Sequence, residues 1–327
     1  MGASHVGEEI PGSGGKVLFV CSSGGHLTEL LRLHRRFDSD PESLWVTFDT
    51  LQSRHLLEGQ RMAALPYIGP RDLRGTIAAV PALERILRGE GFDAAISTGA
   101  AVATTALPLA ALHGIPSTYV ESVSRLKGPS LTGQILRHTP GIHLRTQNPQ
   151  WADSHWKAYP SVLEDFRSEP TTDRKAIRKV FVALGTIQGY RFDSVIDSFL
   201  ATGLANPETV WQLGYTSRDD LPGQVHDFLQ PDEFNRQARE ADLVITHTGV
   251  GTLVDMLASG IYAVYAVRRA SRNEHVDDHQ VELADLVTSM GVGIPVEGPD
   301  LTREICERAA RRHVIDNARL DPVWRAA

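Results

Sequence analysis

The sequence predicts an α/β protein made of two Rossmann-like domains, each containing a doubly wound parallel sheet. Strand-like apolar runs recur along the chain, and each is followed by a glycine-containing turn and a helix-like segment. Such alternation is typical of parallel sheets with helices on both faces. The 327 residues, of which 42% are hydrophobic, suffice for two cores. A polar stretch over residues 164–178 separates the two halves of the pattern.

The first half is predicted to form one domain over residues 15–165. Residues 1–14 are rich in Gly, Ser, Glu and Pro and have no apolar core, so we expect a disordered arm rather than a signal peptide. Strands are predicted at residues 17–21, 43–48, 94–97 and 117–120, and helices at 27–36, 77–88 and 101–112.

The second half is predicted to be a linker, a second domain and a closing helix. Residues 166–178 are polar and carry little periodicity, which favours the linker. The second domain is expected over residues 179–310, and a C-terminal helix over 311–327 is expected to pack near the domain junction. Strands are predicted at 180–184, 209–213, 243–246 and 262–267, and helices at 192–201, from 252 onward, and at 281–290.

Composition excludes several classes of function. A net charge of -7 offers no basic surface for a polyanion, so nucleic acid is not an expected partner. Cys21 and Cys306 fit no metal-ligand spacing, which favours a reduced, cytoplasmic protein. The most apolar stretch, residues 100–112, is too short to span a bilayer. A lipid-linked substrate would therefore require peripheral contact with the inner face of the membrane, or a partner.

The first motif, CSSGGH at residues 21–26, follows the first predicted strand. In a doubly wound sheet this position is the binding crevice. The glycines allow close approach of a ligand, the helix N-terminus offers unpaired N–H groups, and His26 can take a proton near neutral pH. We predict His26 as the general base; the alternative is a histidine that caps the helix or fills the cleft floor. The spacing does not match GxGxxG, so no dinucleotide cofactor is expected.

The second motif, THTGVGT at residues 246–252, also lies between a strand and a helix and resembles a phosphate cradle. Gly249 and Gly251 permit the turn, and Thr248 or Thr252 adds a hydroxyl donor to the helix N-terminus. The alternative is a structural turn without a ligand. Gly185 and Thr186, at the end of the first strand of this domain, are expected to complete the crevice.

Polar residues after the cradle suit a sugar nucleotide. Asp255 lies three residues after Thr252 on the same helix face, where its carboxylate can accept both ribose hydroxyls. Asp278, His279 and Gln280 offer a carboxylate, an imidazole and an amide to sugar hydroxyls, although such a string is usually a solvated helix start.

Beyond these local patterns, the segments SSGGHL, VALGTIQGYRFD, THTGVGTLVDMLASG and HVDDHQVELA resemble glycosyltransferases of the GT-B fold, family 28 in type. The likeness is greatest to the two-subunit transferase that adds the second GlcNAc in N-glycan precursor assembly and to its bacterial exopolysaccharide relatives. Residues 16–165, including YVESVSRLKGPSLTGQ and RTQNPQWAD, resemble the acceptor subunit, and residues 179–293 resemble the donor subunit. The chain therefore resembles a fusion of both parts. The lipid II-forming transferase of peptidoglycan synthesis is a more distant likeness.

The resemblance implies a role for each group of residues. Thr186, His247, Gly249, Gly251 and Thr252 would surround the diphosphate of a UDP-sugar, Asp255 would meet the ribose, and His279 and Gln280 would face the donor sugar. His26 and Glu121 would face the acceptor, with Ser23, Gly24, Gly25 and Arg125 assigned to acceptor binding. The run of arginines over residues 268–272 would contact a uronate carboxylate or an acceptor phosphate, but an exposed basic loop is the preferred interpretation.

The predicted reaction is a single displacement with inversion. His26, or Glu121 if the histidine is structural, would deprotonate an acceptor hydroxyl that attacks the anomeric carbon of UDP-GlcNAc, UDP-glucose or UDP-glucuronate. The acceptor would be a lipid-linked or small-molecule glycan. No cofactor and no metal are predicted, because the acidic pair at Asp38 and Asp40 lies in a polar loop. A UDP-sugar epimerase and a nucleotide-binding subunit of a larger transferase remain as alternatives.

Overall fold

The computed structural model describes residues 10–69, 72–171, 176–276 and 278–317. The chain divides into two units, Met1–Val162 and Leu163–Ala327. The sequence predicted a linker over residues 166–178, and residues 166–170 of that segment form a strand.

The described residues of the first unit form a seven-stranded parallel sheet in the order β3-β2-β1-β4-β5-β6-β7. Its strands are β1 (Val17–Cys21), β2 (Leu44–Phe48), β3 (Arg61–Leu65), β4 (Ala94–Gly99), β5 (Ser117–Glu121), β6 (Ile142–Thr146) and β7 (Trp156–Ala158). Its helices are α1 (Gly25–His34), α2 (Leu51–Leu56), α3 (Leu73–Ala78), α4 (Val80–Gly89), α5 (Ala103–Leu112) and α6 (Leu131–Arg137). The chain order reverses between β1 and β4, which is the topological switch point.

The described residues of the second unit form a six-stranded parallel sheet in the order β11-β10-β9-β12-β13-β14, beside a two-stranded antiparallel sheet of β8 and β15. The strands are β8 (Phe166–Pro170), β9 (Val180–Ala183), β10 (Val210–Gln212), β11 (Gln224–His226), β12 (Leu243–His247), β13 (Val264–Val267), β14 (Ile294–Glu297) and β15 (Arg312–Asp316). The helices are α7 (Asp193–Ala201), α8 (Pro231–Glu240), α9 (Val250–Ala258), α10 (His279–Met290) and α11 (Arg303–Ala309). Here the switch point lies between β9 and β12.

Each unit has its own apolar core, as the alternating pattern predicts. In the first unit the sheet packs against α5, whose Ala106, Leu107 and Ala110 are almost fully buried. In the second unit Val182, Phe199 and Trp211 lie in a separate cluster. Burial of the central strands on both faces explains their continuous apolar runs. These cores fix the carboxyl ends of the strands, from which the loops of interest project.

Four local predictions were wrong. The single helix predicted at residues 77–88 is two helices that meet at Ala79, because Pro81 lacks an N–H and favours a new helix start. Residues 312–316 form β15 instead of part of a helix, and residues 166–170 form its partner β8. In the predicted N-terminal arm, Ile10 is buried against the protein and residues 11–14 form turns. The rest of that arm and of the predicted C-terminal helix, residues 1–9 and 318–327, lies outside the described residues.

Candidate functional site

The carboxyl edge of the second sheet brings together the residues predicted to bind the donor. Gly185 follows β9, and His247 ends β12, its neighbour across the switch point. In open α/β sheets this crevice is where ligands bind. Gly185 and His247 were predicted separately, 62 residues apart in the chain, and the sheet order makes their segments neighbours.

The imidazole of His247 packs directly against two glycine backbones. A Cβ added to Gly185 would lie 2.8 Å from His247 Nδ1, and a Cβ added to Gly249 would overlap the ring at Nε2. Gly185 also has φ +81, which favours glycine, and Gly214 packs closely on its carbonyl. The glycines predicted to allow approach of a ligand therefore also accommodate this ring.

His247 is a neutral side chain at physiological pH. Burial lowers its pKa to about 3, and the positive charge of Arg268 contributes in the same direction. Its Nδ1 atom is buried and has no hydrogen-bond partner. A neutral ring offers one N–H donor, so any fixed positive charge for an anion must come from elsewhere.

The predicted phosphate cradle is formed by the start of α9. This helix begins at Val250 directly after Gly249, and the N–H groups of a first helical turn have no partners within the helix. Thr248 is 1% exposed, and its hydroxyl donates to the Ala266 carbonyl at 3.0 Å, so it serves the fold. Thr252 is partly exposed, which makes it the hydroxyl of this loop that remains accessible to a ligand.

One face of α9 carries the remaining predicted donor residues. Its buried side chains are Leu253, Val254, Met256 and Leu257. Gly251, Thr252 and Asp255 are partly exposed on the opposite side, in agreement with the predicted spacing. The Asp255 carboxylate is therefore on the same helix face as the accessible threonine.

The segment of arginines after β13 is not the exposed basic loop that we preferred from the sequence. Arg268 is 1% exposed, so it belongs to the interior. Arg269 and Arg272 both pair with Glu297, at 2.5 and 3.0 Å, and Arg272 also pairs with Glu274. The charges of Arg269 and Arg272 are thus neutralised within the unit, because this segment folds back on β14.

Of the residues at the start of α10 that were predicted to face the sugar, Asp278 and Gln280 form hydrogen bonds within the protein. The Asp278 carboxylate accepts a hydrogen bond from the Ala270 amide at 3.0 Å and is exposed. The Gln280 amide oxygen is buried and accepts from the Arg268 backbone amide at 3.0 Å. Both side chains therefore shape the loop between β13 and α10. The position of the His279 side chain lies outside the described atoms, so its role stays a prediction.

In the first unit, the predicted acceptor loop also lies at the switch point. Ser23, Gly24 and Gly25 are all partly buried. Gly24 has φ +84, which a side chain rarely adopts, and its amide donates to the Gln52 side chain at 2.6 Å. The amide of Ser22 donates to the Gly99 carbonyl at 2.9 Å, so the loop is held between the ends of β1 and β4.

His26, the predicted base, packs on the end of β4. A Cβ added to Gly99 would lie 3.0 Å from His26 Cε1 and 3.5 Å from the Tyr119 hydroxyl. Burial lowers the pKa of His26 to about 4; hydrogen bonding to the Thr98 backbone opposes this shift, and the nearby charge of Arg125 adds to it. The imidazole is thus neutral at pH 7 and able to accept a proton. Its Nδ1 atom has no hydrogen-bond partner.

Glu121, the alternative base, is engaged by several donors. Its carboxylate accepts hydrogen bonds from the Tyr119 hydroxyl at 2.9 Å, from the Ser122 amide, and from the amide and hydroxyl of Ser130. It is 1% exposed, and burial raises its pKa. These bonds fasten the loop that carries Arg125, a partly buried residue whose backbone carbonyl accepts from the Trp151 indole.

A second buried carboxyl group, Glu29, was missed by the sequence analysis. Its Oε1 accepts from the Val123 amide at 2.7 Å and from the Gln147 side chain, while its Oε2 is buried and has no hydrogen-bond partner among the residues that the structure describes. Burial raises the pKa of Glu29 to about 7. Its position one turn after His26 on α1 was a signal in the sequence, but its partners lie far away in the chain.

The described residues contain neither a metal-binding cluster nor a membrane-spanning helix. Within residues 10–69, 72–171, 176–276 and 278–317, no cluster of three or more His, Cys, Asp or Glu side chains has the geometry to hold a metal ion. Over the same residues, no helix has both the length and the apolarity needed to cross a bilayer. The predicted metal independence remains a prediction that needs a direct test.

Comparison with known proteins identifies part of the second unit. Residues 198–297 match the glycosyltransferase family 28 C-terminal domain. This range extends from α7 to β14 and includes the α9 cradle and Arg268. A UDP-N-acetylglucosamine–N-acetylmuramyl-(pentapeptide) pyrophosphoryl-undecaprenol N-acetylglucosamine transferase from Cupriavidus necator is 27% identical over 156 residues, 44% of this chain. The match spans 40% of the length of that relative.

Solved structures resemble the chain over most of its length. The crystal structure of Acinetobacter baumannii MurG has a TM-score of 0.55 and 18% identity, covering 90% of this chain and 89% of that one. The glycosyltransferase SnogD from Streptomyces nogalater has the same TM-score and identity, with 90% of each chain covered. The spinosyn rhamnosyltransferase SpnG, solved with thymidine diphosphate, has a TM-score of 0.54 and 15% identity, again with 90% of each chain covered.

These likenesses confirm the predicted fold class, two Rossmann-like α/β domains as in GT-B glycosyltransferases. The predicted cleft between the domains stays a prediction. We conclude that the chain has the GT-B fold and that residues 198–297, in its second unit, match the glycosyltransferase family 28 C-terminal domain.

Proposed function

We propose that this protein is an inverting glycosyltransferase that moves a sugar from a UDP-sugar to a hydroxyl group of a glycan acceptor. The carrying observation is the α9 N-terminus at the switch point, within the range that matches the family 28 C-terminal domain. First-turn N–H groups, which have no partners within the helix, and the helix dipole favour a diphosphate there. The same features stabilise the diphosphate charge that develops when UDP leaves.

The proposed donor contacts follow from the accessible side chains. The first-turn amides of α9 and the Thr252 hydroxyl bind the diphosphate, and the Asp255 carboxylate accepts hydrogen bonds from the ribose hydroxyls. The named relative from Cupriavidus necator uses UDP-N-acetylglucosamine, which supports UDP and favours GlcNAc over glucose or glucuronate. The SpnG structure holds thymidine diphosphate, so that nucleotide is the necessary comparison.

His26 is the proposed base. Its imidazole lies at the end of the first sheet and is neutral at pH 7, so it can accept the proton of an acceptor hydroxyl. Glu121 is the weaker choice, because its carboxylate already accepts four hydrogen bonds. We assign Glu121 to holding the loop of Arg125 in place.

Peripheral membrane contact, as a lipid-linked acceptor requires, is supported by an apolar patch on the first unit. Leu73 and Ile77 lie one turn apart on α3 and are 72% and 62% exposed, and Tyr67 before the helix is 71% exposed. The exposed Arg74 between them suits anionic lipid. The protein is thus proposed to work at the inner face of the cytoplasmic membrane.

This surface is tested with vesicles of phosphatidylglycerol and phosphatidylcholine. We expect the double substitution Leu73→Gln and Ile77→Gln to abolish cosedimentation. Leu112→Gln removes a single leucine that is 83% exposed on α5 and serves as the matched control. Equal loss in both variants, or binding that survives the double substitution, would contradict the assigned surface.

The nucleotide is tested by calorimetric titration with UDP, using dTDP, ADP, GDP and NAD for comparison. We expect UDP to bind most tightly and Asp255→Ala to weaken it, because the ribose loses its acceptor. Binding of dTDP in preference to UDP would replace the proposed donor nucleotide. Binding of NAD alone would remove the basis of the proposal.

Turnover separates the remaining functions. Incubation of UDP-GlcNAc with and without a lipid-linked glycan distinguishes transfer, which releases UDP, from epimerisation, which changes the sugar and leaves the nucleotide attached. A nucleotide-binding subunit would bind UDP and turn over nothing. The presence of two Rossmann-like units in one chain supports transfer by the chain itself.

A further inference from the structure

Arg268 is a buried cation without an ionic partner. Among the residues that the structure describes, no carboxylate lies within ion-pair distance of its guanidinium. Its terminal nitrogens donate to two backbone carbonyls, those of Leu184 at 2.6 Å and Glu274 at 2.8 Å. Its Nε is buried and has no hydrogen-bond partner within the described part of the chain, and the guanidinium stacks 4.5 Å from the Phe192 ring centroid. Burying a charge without an ionic partner destabilises the folded protein. The presence of Arg268 here therefore calls for an explanation.

The nearest acidic side chain does not neutralise this charge. The Glu274 carboxylate is occupied by the Ser194 hydroxyl, the Arg269 amide and the Arg272 guanidinium. Burial lowers the pKa of Arg268 to about 10, with an opposing effect from Glu274, so the side chain is still positively charged at pH 7. The positive charge is therefore permanent under working conditions.

The charge lies at the same sheet edge as the proposed diphosphate site. Arg268 follows β13 and reaches past β12 to the carbonyl that directly precedes Gly185. It is near enough to His247 to lower the pKa of that ring. Its own backbone amide holds Gln280 at the start of α10. One residue thus connects the loops after β9 and β13 and lies close to the histidine that ends β12.

We propose that Arg268 is a positioning residue for the donor: it fixes the Gly185 loop and supplies the buried positive charge that attracts a diphosphate to the α9 N-terminus. It acts through the loops and through its field, which is strong in a medium of low dielectric constant. This inference rests on the proposed function in that a nucleoside diphosphate is the ligand. It goes further by separating recognition of the diphosphate from recognition of the nucleoside.

The separation gives a direct test in the full-length protein. Binding of uridine, UDP and inorganic pyrophosphate is measured by calorimetry for the wild type, Arg268→Gln and Arg268→Lys. We expect Arg268→Gln to weaken UDP and pyrophosphate at least about tenfold, or about 1.4 kcal/mol, and to leave uridine unchanged. Arg268→Lys keeps the charge and should retain most of the pyrophosphate affinity. In turnover, the KM for the donor should rise in Arg268→Gln while the KM for the acceptor stays constant.

Arg236→Gln is the matched control. It removes the same charge from the exposed face of α8, where Arg236 pairs with Glu233 and Glu240, and should leave all three affinities unchanged. Thermal unfolding of each variant checks that the fold persists. If Arg268→Gln fails to fold, Arg268→Lys carries the test through its pyrophosphate affinity.

The outcomes distinguish this inference from the proposed function. An equal loss of uridine and UDP affinity in Arg268→Gln would assign a purely structural role and overturn the inference. Pyrophosphate affinity that is independent of the charge at residue 268, or undetectable in the wild type, would also overturn it. If pyrophosphate binds in a manner that depends on Arg268 but no uridine nucleotide does, the inference stands and the proposed donor is wrong.

Discussion

Each switch point has a histidine that packs on glycine, but the buried ionisable groups near the two rings differ. In each unit an imidazole with an unpartnered Nδ1 and a lowered pKa packs on glycine, His26 on Gly99 and His247 on Gly185. The first edge adds two buried carboxyl groups, Glu29 and Glu121, and the second adds a buried cation. The first is suited to holding and moving protons, and the second to holding an anion. Under the proposed function, the same architecture would serve two chemical tasks, which the ionisable groups near the histidines distinguish.

The largest effect that would sharpen this comparison is the loss of each histidine. We expect His26→Ala to lower kcat by about 10²- to 10⁴-fold, the usual contribution of a general base, without changing the Kd for UDP. His247→Ala should instead weaken UDP by about tenfold, because the glycine loops lose their packing. Rates and affinities measured on both variants decide the matter. Parallel changes in the two parameters for both variants would mean that the two edges do not divide the tasks.

The glycine packing around His247 allows a closely matched second test. Gly185 and Gly189 both have positive φ, +81 and +83, but only a Cβ at Gly185 meets the ring. We expect Gly185→Ala to lower the free energy of unfolding by about 3 kcal/mol, from backbone strain and overpacking together, and to weaken UDP. Gly189→Ala should cost about 1 kcal/mol and leave UDP binding intact. Chemical denaturation and calorimetry measure both quantities; equal losses would refute the packing argument.

The buried carboxyl groups of the first edge predict an unusual dependence of stability on pH. The pKa of Glu29 is about 7 in the folded protein, against 4.5 in the unfolded chain. Between these values the folded state keeps a proton that the unfolded state has lost, so this group makes the free energy of unfolding fall as pH rises. Above pH 7 the full penalty, about 3 kcal/mol, is present.

Glu29→Gln isolates this penalty. The variant keeps an oxygen for the Val123 amide and the Gln147 side chain but cannot ionise. We expect it to gain stability relative to the wild type as pH rises from 5 to 8. The lowered pKa values of His26 and His247 make the free energy of unfolding fall as pH falls below 6.5. This contribution is the same in the wild type and in Glu29→Gln, so it cancels in the difference. If the difference in the free energy of unfolding between the two proteins is constant over this pH range, then burial does not raise the pKa of Glu29.

The smallest expected effect is that of removing metal ions. If the α9 N-terminus and Arg268 supply the positive charge for the diphosphate, EDTA should leave the rate of transfer unchanged. A loss of activity that Mg²⁺ or Mn²⁺ restores would show that the second edge needs an ion as well as its own cation.

The sequence predicted the central strands and the two switch-point loops because both depend on local patterns. Apolar runs followed by glycine predict β1, β4, β9 and β12. The position of each motif at the carboxyl edge of its sheet then follows from the order of the parallel strands. The antiparallel strand β15 was missed because its residues, RHVID, have few apolar side chains and its partner lies far back in the chain. Pairing between distant segments leaves no local periodicity to detect.

The charged residues behind the histidines were beyond sequence reasoning for a related reason. Glu29 looks like a solvated position on an amphipathic helix, and its partners Val123 and Gln147 are 94 and 118 residues away. Arg268 was assigned to an exposed loop because it stands beside two other arginines that are indeed partly exposed. The burial of Glu29 and Arg268 is a property of the assembled sheet edges, where loops from separate strands enclose these side chains.

The side-chain amide of Gln147 links Glu29 to the backbone of Val162. Its nitrogen donates to Glu29 and to the Glu121 carbonyl, and its oxygen accepts from the backbone amide of Val162, the last residue of that unit. The Val162 amide should therefore exchange its hydrogen slowly, and faster when the charge on Glu29 changes. Isotope exchange at this single site would report the protonation of Glu29 without any substrate or turnover.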